Sequence, residues 1–315
     1  MARAQAAASL QVTADENRAG PGAPVTAMRR PVRGAAGWAR AVRVRQWPKN
    51  VLVFGAPAAA GALTQPRVLE RAGLAAVAFC LLSSGAYLIN DLHDAREDRN
   101  HPIKRHRPIA SGAIRPGPAR LVALLALVGG LGVAAVLGAA TVAVAAGYAG
   151  LNFAYTGWLR RVAVADIAAI AGAFVLRAAA GGIAAGVPIS RWFFVVVSFS
   201  ALFVAAGKRY ADWLDPAARG SRRVLADYNG EFLRLVLAAS SAVALGAYCL
   251  WAFRPGQPGA LVWREATIAP FTLALLRYGL LVTGGRGGAP EEIMLSDRFI
   301  QLCGGVWLVT FALGL

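Results

Sequence analysis

Long apolar stretches alternate with short polar connections along most of the 315 residues. A helix needs about 20 mainly apolar residues to cross a bilayer, and that measure predicts about nine spans. They cover 49–64, 68–92, 118–138, 139–157, 163–184, 190–208, 231–252, 263–284 and 292–315. The expected fold class is an all-α membrane protein, a bundle with a polar cavity that opens to the cytoplasm. Ahead of the first stretch, Trp38 and Trp47 are interleaved with Arg40, Arg43 and Arg45. That mixture predicts a short amphipathic helix lying in the membrane interface. Residues 1 to about 34 are rich in Ala, Arg, Gly and Pro and have no apolar core like that of a signal peptide. They read as a disordered cytoplasmic tail. The expected organisation is therefore a tail over 1–36 and one polytopic domain over 37–315.

Composition agrees with the pattern. Hydrophobic residues make up 57% of the chain, and mean hydropathy is +0.52. The net charge of +17 would suit nucleic acid in a soluble protein. Here the Lys and Arg residues collect in the N-terminal arm and around 93–117, 158–162 and 209–230. The alternate connections near 65–67, 185–191 and 253–262 hold few. This is a positive-inside pattern beside an anionic leaflet or substrate, and it gives no reason to expect nucleic acid. It predicts a multi-pass protein of the cell (inner) membrane, with the N-terminus and basic connections cytoplasmic. Cys80, Cys249 and Cys303 each fall in an apolar stretch without a CxxC pair, so neither a disulfide nor a zinc site is expected. Self-association into a homo-oligomer is left open.

The chemistry concentrates where the second stretch ends. Asn90, Asp91, Asp94 and Asp98 lie within an arc of about 100° on a helix, presenting oxygen ligands over roughly two turns. Mg²⁺ takes hard oxygen donors and commonly joins one or two carboxylates to substrate phosphates. The plain alternative is a solvated acidic helix end, but like charges on one buried face repel unless a cation is present. The run His101 to Arg107 follows directly. Alone it would be topology signal; beside carboxylates it reads as a phosphate clamp, with Lys104 and Arg107 foremost. Asp166 opens the fifth stretch as a second metal or substrate contact. Arg177, inside the same stretch, is either functional or a bundle-holding ion pair. Lys208 and Asp212 are spaced for a helix-end pair, with Arg209 between them. Lys49 and Asn50 follow an interfacial Trp47, while Arg277 has no evident partner.

The arrangement Asn90-Asp91-x-x-Asp94-x-x-x-Asp98-Arg99-x-His101-Pro102 resembles the first aspartate-rich motif of the UbiA-type intramembrane prenyltransferases. The second motif of that superfamily has the form DxxxD; here Asp166-Ile167-Ala168-Ala169-Ile170 lacks its second aspartate. Arg45-Gln46-Trp47-x-Lys49-Asn50, Lys104-Arg105-x-Arg107-Pro108, Tyr155-Thr156, Lys208-Arg209-Tyr210 and Arg223-Val224-Leu225-x-x-Tyr228 are similar to one branch, the decaprenyl-phosphate phosphoribosyltransferases.

That resemblance implies a Mg²⁺-dependent transfer of 5-phosphoribosyl from 5-phosphoribosyl 1-diphosphate to decaprenyl phosphate, releasing pyrophosphate for cell-wall arabinan assembly. It implies Asp91, Asp94 and Asp98 as catalytic residues that hold the metal with Asn90. Lys49, Asn50, Asn90, Lys104, Arg107, Tyr155, Asp166, Arg177, Lys208, Arg209 and Tyr228 become the expected substrate contacts. Two alternatives stay open: a prenyl diphosphate-dependent enzyme acting on a quinone, haem or other acceptor, and a lipid-phosphate carrier.

Overall fold

The computed structural model describes residues 34–101, 104–254 and 260–314. Nearly all of the expected tail lies outside these residues; the first helix, α1 (Ala35–Ala41), opens two residues before the expected domain start. A 3-10 segment, Val44–Phe54, and α2 (Gly55–Ala59) follow. Next come α3 (Pro66–His93), α4 (Ala95–Asn100), α5 (Pro116–Leu137) and α6 (Ala139–Gly157). The second half holds α7 (Ala165–Ala185), α8 (Arg191–Leu214), α9 (Pro216–Ser221) and α10 (Gly230–Ala252). It closes with α11 (Ala260–Ala266), α12 (Ile268–Leu281), α13 (Pro290–Ser296) and α14 (Arg298–Leu313).

Local chemistry sets these limits. Pro66 and Pro116 sit in first turns, where a missing N–H costs no helical bond. Side-chain oxygens of Ser190, Asn229 and Asp297 cap the backbone N–H groups of Phe193, Phe232 and Ile300. Six helices are long and apolar enough to cross a membrane, the sixth being the composite Leu261–Arg286. The count of nine is thus not reproduced as nine long helices among the described residues. The stretch at 49–64 is the end of a 3-10 segment that holds Pro48 and runs directly into a five-residue α-helix that holds Pro57. The stretch at 292–315 breaks at Asp297, which caps α14 and holds Arg277 of α12 with Nη2 2.8 Å away. Arg277 therefore does have a partner. The expected interfacial helix over 37–47 stops at Ala41, since Arg43 turns into the left-handed region at φ 55°.

Three packed clusters hold the bundle together. Phe79, Leu82, Ala134, Ala145, Tyr148 and Ala180 join α3, α5, α6 and α7; Phe203, Tyr210, Leu225, Leu233 and Tyr278 join the second half; Leu88, Ile109 and Ala119 pack with Ala41 of α1. Lipid tails are as apolar as leucine, so close van der Waals fit matters more here than removal from water. Gly130 permits such a fit: a Cβ there would stand 2.9 Å from the Ala78 carbonyl oxygen of α3. Gly181 of α7 is tighter still, since its Cβ would collide with the Val53 carbonyl. The 3-10 segment is thereby pressed onto α7, and Arg177 fastens it. Arg177 Nε donates to Asn50 Oδ1 at 2.9 Å, Nη1 to the Ala173 carbonyl and Nη2 to the Tyr148 hydroxyl. The guanidinium also lies over the Tyr148 ring at 4.7 Å. Its partners are neutral, unlike the carboxylate pair considered from sequence.

Candidate active site

Helix α3 ends at His93, and Asp94 joins it to α4, so the acidic motif straddles a helix junction instead of lying on one continuous face. The junction splits the carboxylates into two groups. Asp91 and Asp98 converge: Arg107 Nη1 stands 3.1 Å from Asp91 Oδ1 and 2.7 Å from Asp98 Oδ2. Asp94 takes a separate, two-pronged pair from Arg160, at 2.8 and 2.9 Å. Asn90 Oδ1 accepts from the Thr156 hydroxyl at 3.2 Å. The expected four-ligand set is therefore not gathered, and no cluster of three acidic, His or Cys side chains suited to a metal occurs among the described residues. Two carboxylate oxygens nonetheless face a single cationic point. That donor set fits Mg²⁺ bound through two carboxylates, with substrate phosphate and water completing its shell.

Two arginines here escaped the sequence reading. Arg43 Nη2 reaches Asp91 Oδ1 at 2.6 Å, and its guanidinium lies 4.5 Å from the Tyr87 ring centre. Its left-handed backbone costs on the order of 1–3 kcal/mol, which the surrounding contacts must offset. Arg160 comes from the turn between α6 and α7. Strain cannot be read from sequence, but the Arg43-x-Arg45-Gln46-Trp47 spacing was a signal available there.

Electrostatics follow from this pairing. Burial acts to raise the pKa of Asp94, but hydrogen bonds from Arg160 and His93 outweigh it and leave the carboxyl below its ordinary value. Asp98 goes the other way: burial raises it more than Arg107 and Lys104 lower it. Lys104 is lowered by burial and by the nearby Arg222 and Arg107, with Asp98 and Asp94 opposing. Three or more cations thus crowd this end of the bundle, an arrangement that a polyanion would relieve.

The remaining candidates fall into two further groups. Asp166 is 0% exposed, and Arg209, which pairs with it, is 1% exposed. Arg209 Nε lies 2.7 Å from Asp166 Oδ2 as an ion pair. Tyr228 Oη donates to Asp166 Oδ1 at 2.5 Å and accepts from the Val164 N–H at 2.6 Å. Burial and that bond to Asp166 push the Tyr228 hydroxyl's pKa up. Val164 itself carries φ 68°, unfavourable for a β-branched residue. Arg209 also reaches the Tyr155 hydroxyl at 3.5 Å and Asp212 at 3.0 Å. Asp212 pairs with Arg209 and Arg222, not with Lys208 as the spacing predicted. Asp166 is thus enclosed by Arg209 and Tyr228 in this structure. Asn50 and Arg177 bond each other, and Asn50 Nδ2 also donates to Cys80 Sγ at 3.1 Å. Lys49 is held 3.2 Å from Glu291, which also accepts from Gln46 at 2.9 Å. Lys208 lies within Coulombic range of Lys49, Arg222 and Asp212.

A family model for the UbiA prenyltransferase family matches residues 51–302. The chain belongs to this family. Among curated UbiA relatives, decaprenyl-phosphate phosphoribosyltransferase of Corynebacterium glutamicum is 42% identical over 283 residues, covering 87% of this chain and 85% of that protein. The enzyme of that name from Mycobacterium tuberculosis is 40% identical over 287 residues, covering 89% and 94%. Among solved structures, a UbiA homolog from Archaeoglobus fulgidus bound to DMAPP and Mg²⁺ superposes with a TM-score of 0.68 at 19% identity. The match covers 88% of this chain and 97% of that one. At that identity the likeness speaks for the UbiA fold alone.

Proposed function

We propose that this chain is an integral membrane phosphoribosyltransferase that moves 5-phosphoribosyl from 5-phosphoribosyl 1-diphosphate to decaprenyl phosphate. The observation that carries the reading is about 40% identity to enzymes of that name across nearly the whole chain. The site is chemically suited to it. A phosphate oxygen of the lipid forms a bond to C1 of the ribose as the C1–O bond to diphosphate breaks, and its electron pair leaves with pyrophosphate. The lipid monoester is already ionised near neutral pH, so no protein base is required. Asp91 and Asp98 would hold Mg²⁺, which when bound stabilises the charge growing on the leaving diphosphate. Arg107 and Arg43, which neutralise these carboxylates, turn to the phosphate oxygens, and Lys104 adds a third cation. Asp94 keeps Arg160 aimed along the same rim. Lys49 and Lys208 meet the second phosphate group of the reacting pair, while Asp166, Arg209, Tyr155 and Tyr228 form the rigid wall behind it. The concentration of Lys and Arg at the ends that carry these residues supports a cytoplasmic site in the inner membrane.

The test is direct transfer. Purified full-length protein with Mg²⁺, labelled phosphoribosyl diphosphate and polyprenyl phosphate should yield a labelled lipid and one pyrophosphate per lipid, and chelation should stop both. Absence of that lipid together with prenyl transfer from a prenyl diphosphate to an aromatic acceptor would overturn the reading. Uptake of labelled lipid phosphate without pyrophosphate release would overturn it in favour of a carrier.

A further inference from the structure

Away from the acidic motif, α8, α10 and α12 leave a crevice of about 410 Å³ on the flank of the bundle. Phe203, Leu237, Leu245, Leu275, Leu276 and Leu280 give it an apolar wall. Leu276 and Leu280 remain 65% and 63% exposed, so the crevice faces outward from the bundle. The hydroxyls along it are committed to their own helices: Ser241 donates to the Ala238 carbonyl, Thr272 to Ile268 and Thr283 to Gly279. One polar group is different. Arg234 stands at the end of the crevice nearer the acidic motif, with Nε donating to the Tyr210 hydroxyl at 3.0 Å and the guanidinium 5.8 Å from that ring's centre. Among the described residues it pairs with no carboxylate. From Arg234 to Leu245 the groove runs about 16 Å along α10, close to half of a hydrocarbon core of roughly 30 Å.

A charged group on an outward face near a helix end, above an apolar groove one leaflet deep, matches a molecule with an anion at one end and a hydrocarbon chain behind it. We propose that this crevice is a binding site for an anionic phospholipid, its phosphate on Arg234 and one acyl chain between α10 and α12. Tyr210 keeps the guanidinium at headgroup level and leaves its terminal nitrogens free to take phosphate oxygens. Choline lipids also carry a phosphate, but their own cation offsets it, so the site discriminates by net charge.

Native mass spectrometry of the full-length protein, titrated with phosphatidylglycerol or phosphatidylcholine, tests this. Wild type should retain phosphatidylglycerol about fivefold better, the preference expected of one basic residue near a headgroup. R234Q should bring the two lipids to parity, and R234K should keep part of the preference. A242W, which fills the groove and keeps the charge, should weaken retention of both. Each variant should melt as wild type does and transfer phosphoribosyl at the wild-type rate with phosphatidylcholine alone. An unchanged preference in R234Q would overturn the proposal. So would an Arg234-dependent retention of polyprenyl phosphate in place of phosphatidylglycerol, or loss of a dimer or larger assembly in A242W without change in lipid retention.

Discussion

The molecule pairs aspartate with arginine in two places, and the two pairings differ in what surrounds them. At the α3–α4 junction the carboxylates of Asp91, Asp94 and Asp98 meet Arg43, Arg107 and Arg160, whose side chains stay 25%, 27% and 21% exposed. Asp166 and Arg209, behind them, are almost completely enclosed. The same two residue types therefore make a rearrangeable rim in one place and a fixed wall in the other. A partly exposed guanidinium can exchange a carboxylate for a phosphate at smaller cost, because water screens it during the change. A sealed pair has no such route: removing one partner leaves an uncompensated charge inside the bundle.

This contrast can be broken by mutation. The largest effect is expected at the rim: D91N should lower turnover by about 1,000-fold, comparable to the loss of a principal charge-stabilising group, while the thermal melt stays close to wild type. A normal rate in D91N would remove the rim from the chemistry. Behind it, D166N should destabilise the fold by about 3–5 kcal/mol by leaving Arg209 uncompensated, measured by chemical or thermal unfolding in micelles. If D166N instead melts normally and loses only activity, the wall is a reacting group and the distinction collapses. R43Q sharpens the rim further. Its turnover should fall by about 10- to 100-fold, as for the loss of one charge-assisted contact, with a raised KM for the diphosphate substrate. The smallest effect concerns Glu291, which links the Val44–Phe54 segment to α13. Burial acts to raise its pKa, but Lys49 and Gln46 outweigh that and hold it below its ordinary 4.5. A depressed carboxylate stabilises the fold above its unfolded pKa and loses that contribution as pH falls through the folded value. E291Q should therefore melt lower than wild type at neutral pH, by about 1 kcal/mol, and the gap should close below pH 4.5.

Much of the fold was readable because bilayer spanning is a matter of length and apolarity. The stretches at 68–92, 118–138, 163–184 and 231–252 coincide with α3, α5, α7 and α10 to within two residues at each end. The stretch at 49–64 is helical in another way, a 3-10 segment that runs into a short α-helix, a difference that hydropathy cannot register because it counts side chains alone. The site divided in the same manner. Asp91, Asp98 and Arg107 were legible because they lie close in sequence and their chemistry is concentrated. Arg160 was not, being 66 positions from the Asp94 it binds. Nor was the burial of Asp166, which depends on Arg209 and Tyr228 arriving from two other parts of the chain.

By itself, the order of side chains determined that this is a helical membrane protein, that its cations gather in particular connections, and that an oxygen-rich motif adjoins them. These are local properties, set by composition over one or two helical turns or one bilayer thickness. Tertiary structure alone decided which carboxylates converge, which cations neutralise them and which candidates are closed off. The physical reason is range: an ion pair acts over a few ångströms, and only helix packing brings residues that are 40 to 70 positions apart within that distance.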